Sequence, residues 1–365
     1  MIRYPGLQFR RAHPEHVSPS IRASYLNLAL VLISFAAGCS GEHSRPTDDG
    51  KHPPSVPQAL REPRTEFTQE PKPGEVRVEL THEIIYNYDH AIRLGEQILR
   101  LHPFLGDAVP TAGYSVSVEP EEHSLRWQQD DFGNTIARVT IPNRVSRFSI
   151  SVHLVADVRE DDRALPRASE PLGPLPYSYP DATRAKLSQY LTTSPPEREL
   201  ERYILAAAKS GPSVLEFALS LNRAIARDVR YAERLDPGVQ SPLETLKLRS
   251  GACRDSAWLL VQTLRQAGIA ARFVSGYLVN LAQPDSDVKN DSLALHAWCE
   301  FYLANTGWIG LDTTSGKPTS LMHIPLAAAR SPELVAPLEG MAERAQTDLQ
   351  FPMRVRRIAA KANSP

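Results

Sequence analysis

Cys253, His296 and Asp312 are the residues whose types and order in this chain suit nucleophilic chemistry. Cys253 follows Ser250-Gly251-Ala252 and opens a helix predicted to run from Cys253 to Ala267. Ala257, Leu260, Val261 and Leu264 face inward on it, and Gly268 closes its C-terminus. Small residues before the cysteine permit close backbone approach. The unpaired N–H groups of a helix start carry partial positive charge, which lowers a thiol's pKa and offers donors to a developing oxyanion. A free cysteine is otherwise a small buried hydrophobe, so position alone leaves both readings open. On the predicted strand Leu295 to Leu303, His296, Trp298, Glu300 and Tyr302 share one face, while Ala297, Cys299, Phe301 and Leu303 share the other. A turn over Ala304 to Gly307 leads into Trp308-Ile309-Gly310-Leu311-Asp312, an antiparallel partner. Asp312 is then expected opposite His296, its carboxylate orienting the imidazole. A thiol on a helix tip facing a His–Asp pair on a hairpin is the logic of acyl transfer.

The same parity sends Cys299 into the core, which defeats a metal site built from Cys253, His296 and Cys299. No CxxC pair is present to build structural zinc. Gly310 to Pro318 has five residues between its glycines and a proline after Lys317, so it fails as a phosphate loop. Arg254 and Asp255 are expected to form an ion pair that supports the helix start.

The elements that must position these groups lie in a chain of 365 residues, long enough for about two domains. Lys+Arg 41 balance Asp+Glu 42, so the basic face of a nucleic-acid binder is missing. Three cysteines exclude a disulfide-stapled scaffold. Mean hydropathy is −0.32, and no apolar run reaches the roughly 18 residues of a membrane span. Residues 1–39 carry Arg3, Arg10, Arg11 and Arg22, the apolar run Tyr25 to Gly38, and small residues leading into Cys39. That is the layout of a secretory signal. Residues 40–75 hold seven prolines and read as a disordered linker. The segment 76–160 is strand-like: Val76, Val78 and Leu80 alternate with polar residues, and Asp131-Phe132-Gly133-Asn134 forms a turn between later strands. A small antiparallel sandwich or barrel is expected there, with His82, His102 and His123 in structural or surface positions. A connecting segment over 161–200 precedes a core over 201–340, in which Val214, Phe217, Leu221 and Ile225 mark one apolar helix stripe. Residues 341–365 are expected to form a C-terminal tail.

Several motifs in order carry a family resemblance: Gly251-Ala252-Cys253-Arg254-Asp255, then Arg272-Phe273-Val274-Ser275-Gly276-Tyr277-Leu278, His296-Ala297-Trp298, and Gly307-Trp308-Ile309-Gly310-Leu311-Asp312. They resemble the transglutaminase-like superfamily. Tyr86-Asn87-Tyr88-Asp89, Arg93-Leu94-Gly95 and Asp131-Phe132-Gly133-Asn134 resemble the bacterial transglutaminase-like N-terminal region. Cys253 to Leu260 and Leu295 to Glu300 are similar to large bacterial proteins in which this module precedes a long C-terminal domain of unknown function. The resemblance implies an α+β fold: an N-terminal antiparallel β domain, then a papain-like core with a helix bearing Cys packed on an antiparallel sheet bearing His and Asp. It implies Cys253 as nucleophile, His296 as general base and acid, and Asp312 as orienting carboxylate. Trp298 and Tyr277 are candidates to line the acyl-donor cleft, with core packing as the alternative. Thr313 departs from the proline usual after the Asp, and Ala294 from an acidic residue before Leu-His. The implied activity is that of a cysteine peptidase or amidase on protein or peptide substrates, with protein-glutamine transamidation or a non-catalytic peptide-binding module as alternatives. No cofactor or metal is required by such a triad. Ala-Ala-Gly-Cys resembles a lipobox, which implies a membrane tether at Cys39 and a cell-envelope lipoprotein. The alternative is a cytoplasmic protein translated from near Val76.

Overall fold

A computed structural model of the chain describes residues 70–103, 113–160, 165–166, 170–193, 197–234, 236–282 and 288–358, and the backbone alone at 31–33 and 111–112. Cys39, the leader around it apart from the backbone at 31–33, and the proline-rich stretch as far as Gln69 lie outside the described residues.

The first half builds two sheets. In one, β2 (Val76–Ile92) pairs with β7 (Val145–Val158), and β7 with β4 (Thr111–Glu119). Alternation along β2 sends Val78, Leu80, His82, Ile84 and Tyr86 inward. Arg77 and Asp157, directly opposite across β2 and β7, form a buried bidentate ion pair at 2.7 and 2.8 Å. In the other sheet, β3 (Leu94–Leu99) pairs with β6 (Thr135–Thr140), and β6 with β5 (Ser124–Gln129). The far edge of β3 takes β15 (Leu338–Ala342), beside which the backbone of β1 (Val31–Ile33) runs parallel. Apolar side chains from both sheets share one core.

Residues 341–358, part of the segment expected as a tail, depart from that reading. β16 (Thr347–Gln350) and β17 (Met353–Arg357) both pair with β2, so the C-terminal segment completes the sheet that the N-terminal segment began. Leu349, Met353 and Val355 pack on the core, while the alternating arginines of β17 disguise it as a solvated stretch.

The second half is helical on one side and sheet on the other. Helices α1 (Asp181–Leu187), α2 (Arg198–Ser210), α3 (Val214–Asp228) and α4 (Pro242–Leu248) lead to a short parallel pair, β8 (Arg230–Tyr231) with β9 (Ser250–Gly251). Then comes α5 (Cys253–Gln266), buried on nearly every side. Gly268 N–H bonds Arg265 C=O and Ile269 N–H bonds Leu264 C=O, a Schellman closure that needs the φ of +84° found at Gly268. Behind α5 stands an antiparallel sheet in the order β13 (Lys317–Pro318), β12 (Gly307–Asp312), β11 (Ser292–Leu303), β10 (Ala271–Asn280), β14 (His323–Ala329). Leu260, Val261 and Leu264 of α5 meet Ala297, Cys299 and Phe301 of β11 in a second core. Tyr277, Leu295 and Ile324 belong instead to the core of the β domain, so this sheet is covered from both sides. Among the described residues no helix is long and apolar enough to cross a membrane.

Candidate active site

Cys253 is the first residue of α5 and is partly exposed. Ala252, at the N-cap, has no side-chain oxygen to cover the first-turn N–H groups. Asp255 closes the start from the other side: its carboxylate accepts Ala252 N–H at 2.8 Å, Gln240 N–H at 2.9 Å and Arg234 Nε at 2.9 Å. Arg254 does not pair with Asp255 in the way expected. It donates to the carbonyls of Gly238, Arg234 and Asp236 at 2.8, 3.2 and 2.7 Å. The two residues after the cysteine therefore fasten the 234–240 loop around the helix tip.

β11 carries His296 beyond the last pair of its ladder with β12, Cys299 opposite Leu311. Asp312 thus lies diagonal to His296, two residues from the expected opposition, because Leu303 pairs with Gly307 and fixes that register. The diagonal still closes: His296 Nε2 stands 3.1 Å from Asp312 Oδ1. With Nε2 so engaged, Nδ1 is the nitrogen left for the thiol. Asp312 is gripped further by Thr314 N–H on Oδ1 at 2.8 Å and Ser315 Oγ on Oδ2 at 2.9 Å. Thr313 donates to Ser256 Oγ at 3.0 Å, which ties the turn to α5. Asn222 of α3, fully buried, donates to the Asp312 carbonyl at 3.2 Å.

The electrostatics follow from this enclosure. Burial pushes the Cys253 thiol up, but the charge of His296, a hydrogen bond with it, the N–H of Ala297 and the charge of Arg254 outweigh burial and lower it overall. Burial works against the charged form of His296 too, yet the carboxylate of Asp312 and the neighbouring thiolate push it up to about 10. Asp312 is held well below the usual carboxylate range, burial being overcome chiefly by the charge of His296. These shifts favour a thiolate–imidazolium pair, backed by a carboxylate, relative to an isolated thiol and imidazole.

Cys299 is fully buried and its thiol is pushed up by burial, as suits core packing. Tyr277 does not line a cleft: it is 1% exposed, and its hydroxyl meets His82 Nδ1 at 3.0 Å. Its position on β10, next to Gly276, turns it toward the β domain. Trp298 is also 1% exposed and stands beside His296, the ring centroids 6.3 Å apart. It backs the imidazole and offers substrate no open face.

The residue missed in the sequence is His323. Buried at the start of β14, its Nε2 lies 3.7 Å from Asp312 Oδ2. Its signal was a lone titratable group inside an apolar run, Leu321 to Ala329. His296, Asp312 and His323 bring ligand atoms within 4.8 Å of one another, close enough for a metal ion. The hydrogen bonding opposes that use. His323 Nδ1 accepts Ser320 N–H at 3.2 Å, which places the ring proton on Nε2, where a metal would need the lone pair.

Comparisons with known proteins bear on the fold and on two segments of the chain. Residues 200–313 match the transglutaminase-like superfamily, and residues 78–157 match the bacterial transglutaminase-like N-terminal region. The two matches lie in that order along the chain, the N-terminal region before the core. It is 25% identical over 284 residues to an uncharacterised protein of Mycobacterium bovis, covering 74% of this chain and 89% of that one. A Mycobacterium leprae protein, also uncharacterised, is 32% identical over 148 residues, covering 38% of this chain and 51% of its own length. A solved structure from Cytophaga hutchinsonii, named as a candidate cysteine protease, aligns with a TM-score of 0.56 at 19% identity. It covers 79% of this chain and 93% of that one. That likeness shows a shared fold.

Proposed function

We propose that this protein is a thiol acyl-transfer enzyme that hydrolyses peptide or carboxamide bonds. The observation that carries the reading is the convergence of a helix-tip thiol with a buried His–Asp pair, His296 Nε2 at 3.1 Å from Asp312 Oδ1. The Cys253 thiolate attacks the carbonyl carbon, and the C=O electron pair moves onto oxygen. The N–H of Cys253 at the helix start is a donor for that oxyanion. His296 passes its Nδ1 proton to the leaving nitrogen; the C–N bond breaks, ammonia or an amine departs, and a thioester remains. Water then loses a proton to His296 and adds to the thioester, and Cys253 leaves as thiolate. Throughout, Asp312 holds the imidazole with Nδ1 toward sulfur.

The test supplies a glutamine-containing peptide with and without a primary amine and weighs the products. Hydrolysis predicts the deamidated or cleaved peptide in both tubes, lost in Cys253→Ser. A product heavier by the amine would make the enzyme a transamidase, and no turnover of any peptide alongside an inert thiol would make it a binding module.

A further inference from the structure

We propose that His323 is a positioning residue for Asp312: it holds the second carboxylate oxygen so that the first stays on His296. The proposal deepens the acyl-transfer reading and rests on it. His323 enters from β14, on the opposite side of β10 from the strand that carries His296. The Ser320 N–H on Nδ1 at 3.2 Å leaves Nε2 as the protonated nitrogen, and Nε2 is the one that faces Asp312 Oδ2, at 3.7 Å. The ring is wedged edge-on against Trp298, with centroids 5.4 Å apart, and its centroid lies 5.8 Å from that of His296. At 3.7 Å the contact is longer than a formed hydrogen bond, a length typical of active-site contacts that tighten in the substrate complex.

The chemistry supplies the need. His296 surrenders its proton to the leaving group in every turnover, and for that interval Asp312 remains a buried anion beside a neutral imidazole. A buried charge without donors is costly. The neutral His296 Nε2–H and Thr314 N–H on Oδ1 and Ser315 Oγ on Oδ2 remain, and an Nε2–H from His323 completes the cage on Oδ2 without competing for the oxygen that holds His296. The ionisable groups facing this cluster are Cys253 and Arg254 from α5, His296 from β11, Asp312 from β12 and His323 from β14. From α3 comes the amide of Asn222, on the Asp312 carbonyl. Glu300, on the His296 face, is taken by Arg272 at 2.8 Å.

The test is the pH dependence of Cys253 alkylation by iodoacetamide, resolved by peptide mass spectrometry on the full chain, in wild type, His323→Gln and His323→Phe. Glutamine can present both an acceptor to Ser320 and a donor to Asp312, whereas phenylalanine fills the space with neither. Loss of the donor destabilises the Asp312 anion, so the Phe variant should move the acid limb of the profile up by about one pH unit. At fixed pH on that limb, this is about tenfold less reactive thiolate. The Gln variant should stay on the wild-type curve. Thermal unfolding reports whether each variant folds, and His323→Leu carries the same expectation if phenylalanine does not fit. Two results overturn the proposal: a Phe profile coincident with wild type, or Gln and Phe displaced equally, which would reduce His323 to packing. In both of those the wild-type thiol is hyperreactive. A wild-type Cys253 no faster than a free thiol would instead bring down the acyl-transfer reading, and the proposal with it.

Discussion

A buried carboxylate with donors on both oxygens is held for orientation as much as for charge. Asp312→Asn keeps the shape and removes the charge that raises His296, and its amide N–H can oblige the imidazole to present the wrong tautomer. Turnover should fall on the order of 10²–10⁴-fold with little change in KM, measured by steady-state kinetics on a peptide amide. The pH profile of turnover follows from the directions of the two shifts. His296 is charged up to about 10 and Cys253 ionises below its ordinary value, so the acid limb of activity should lie below the ordinary thiol range and activity should fall as pH rises through about 10. The linkage has the same sign. A histidine raised in the fold contributes stability in full below about 6.5, and that stability is lost as pH rises toward about 10. At this scale the sequence was legible where chemistry sits in local motifs: Cys253 at a helix start, and His296 and Asp312 on a hairpin. Thr314, Ser315 and His323 were not, because their role depends on which way a turn closes and which strand lies across the sheet.

Among the elements, the Asp130–Asn134 turn illustrates what local signals contain and what they omit. The turn itself was readable, with Gly133 at φ +80° and Asp130 Oδ1 accepting the N–H groups of Phe132 and Asn134. Its docking was not. Asn134 is fully buried and completes the edge of β14 like an extra strand residue, accepting Ala328 N–H at 2.8 Å and donating to Ala328 C=O at 3.1 Å. Asn134→Ala should cost about 2–4 kcal/mol in urea unfolding, since two buried backbone groups lose their partner. Gly268→Ala should be destabilising by about 1–3 kcal/mol from the left-handed φ alone. A Cβ there would also meet Tyr177 O at 2.2 Å. The hairpin register was misjudged by two residues because the turn's hydrogen bonding, which no hydrophobic pattern encodes, decides which residues face each other.

The molecule as a whole is closed by its C-terminal strands, which return to the first long strand of the β domain. Ending the chain after Arg344 would remove β16 and β17 and leave one edge of β2 unpaired. Such a truncation should lower the midpoint of thermal unfolding and scatter light on heating, as open edges do. The two halves also share a buried polar contact, His82 to Tyr277. Burial lowers His82 to about 3, so it stays neutral in the fold while the unfolded chain takes up a proton below about 6.5. Stability should therefore decline as pH falls from about 6.5 toward about 3, and His82→Gln should flatten that decline in acid-unfolding curves. The strand alternation of β2 and the apolar stripe of α3 were legible in the residue pattern. The closure was not, because pairing between residues some 270 positions apart leaves no local trace, as in Met353 opposite His82.

All of this turns on the state of one sulfur. Near about pH 6 an ordinary thiol, with a pKa of about 8.5, is almost wholly protonated. Cys253 paired with the imidazolium of His296 should still be alkylated by iodoacetamide at that pH, faster than free cysteine, and His296→Ala should slow it by about tenfold or more. A Cys253 that labels no faster than free cysteine there, at a rate indifferent to His296, would contradict the account.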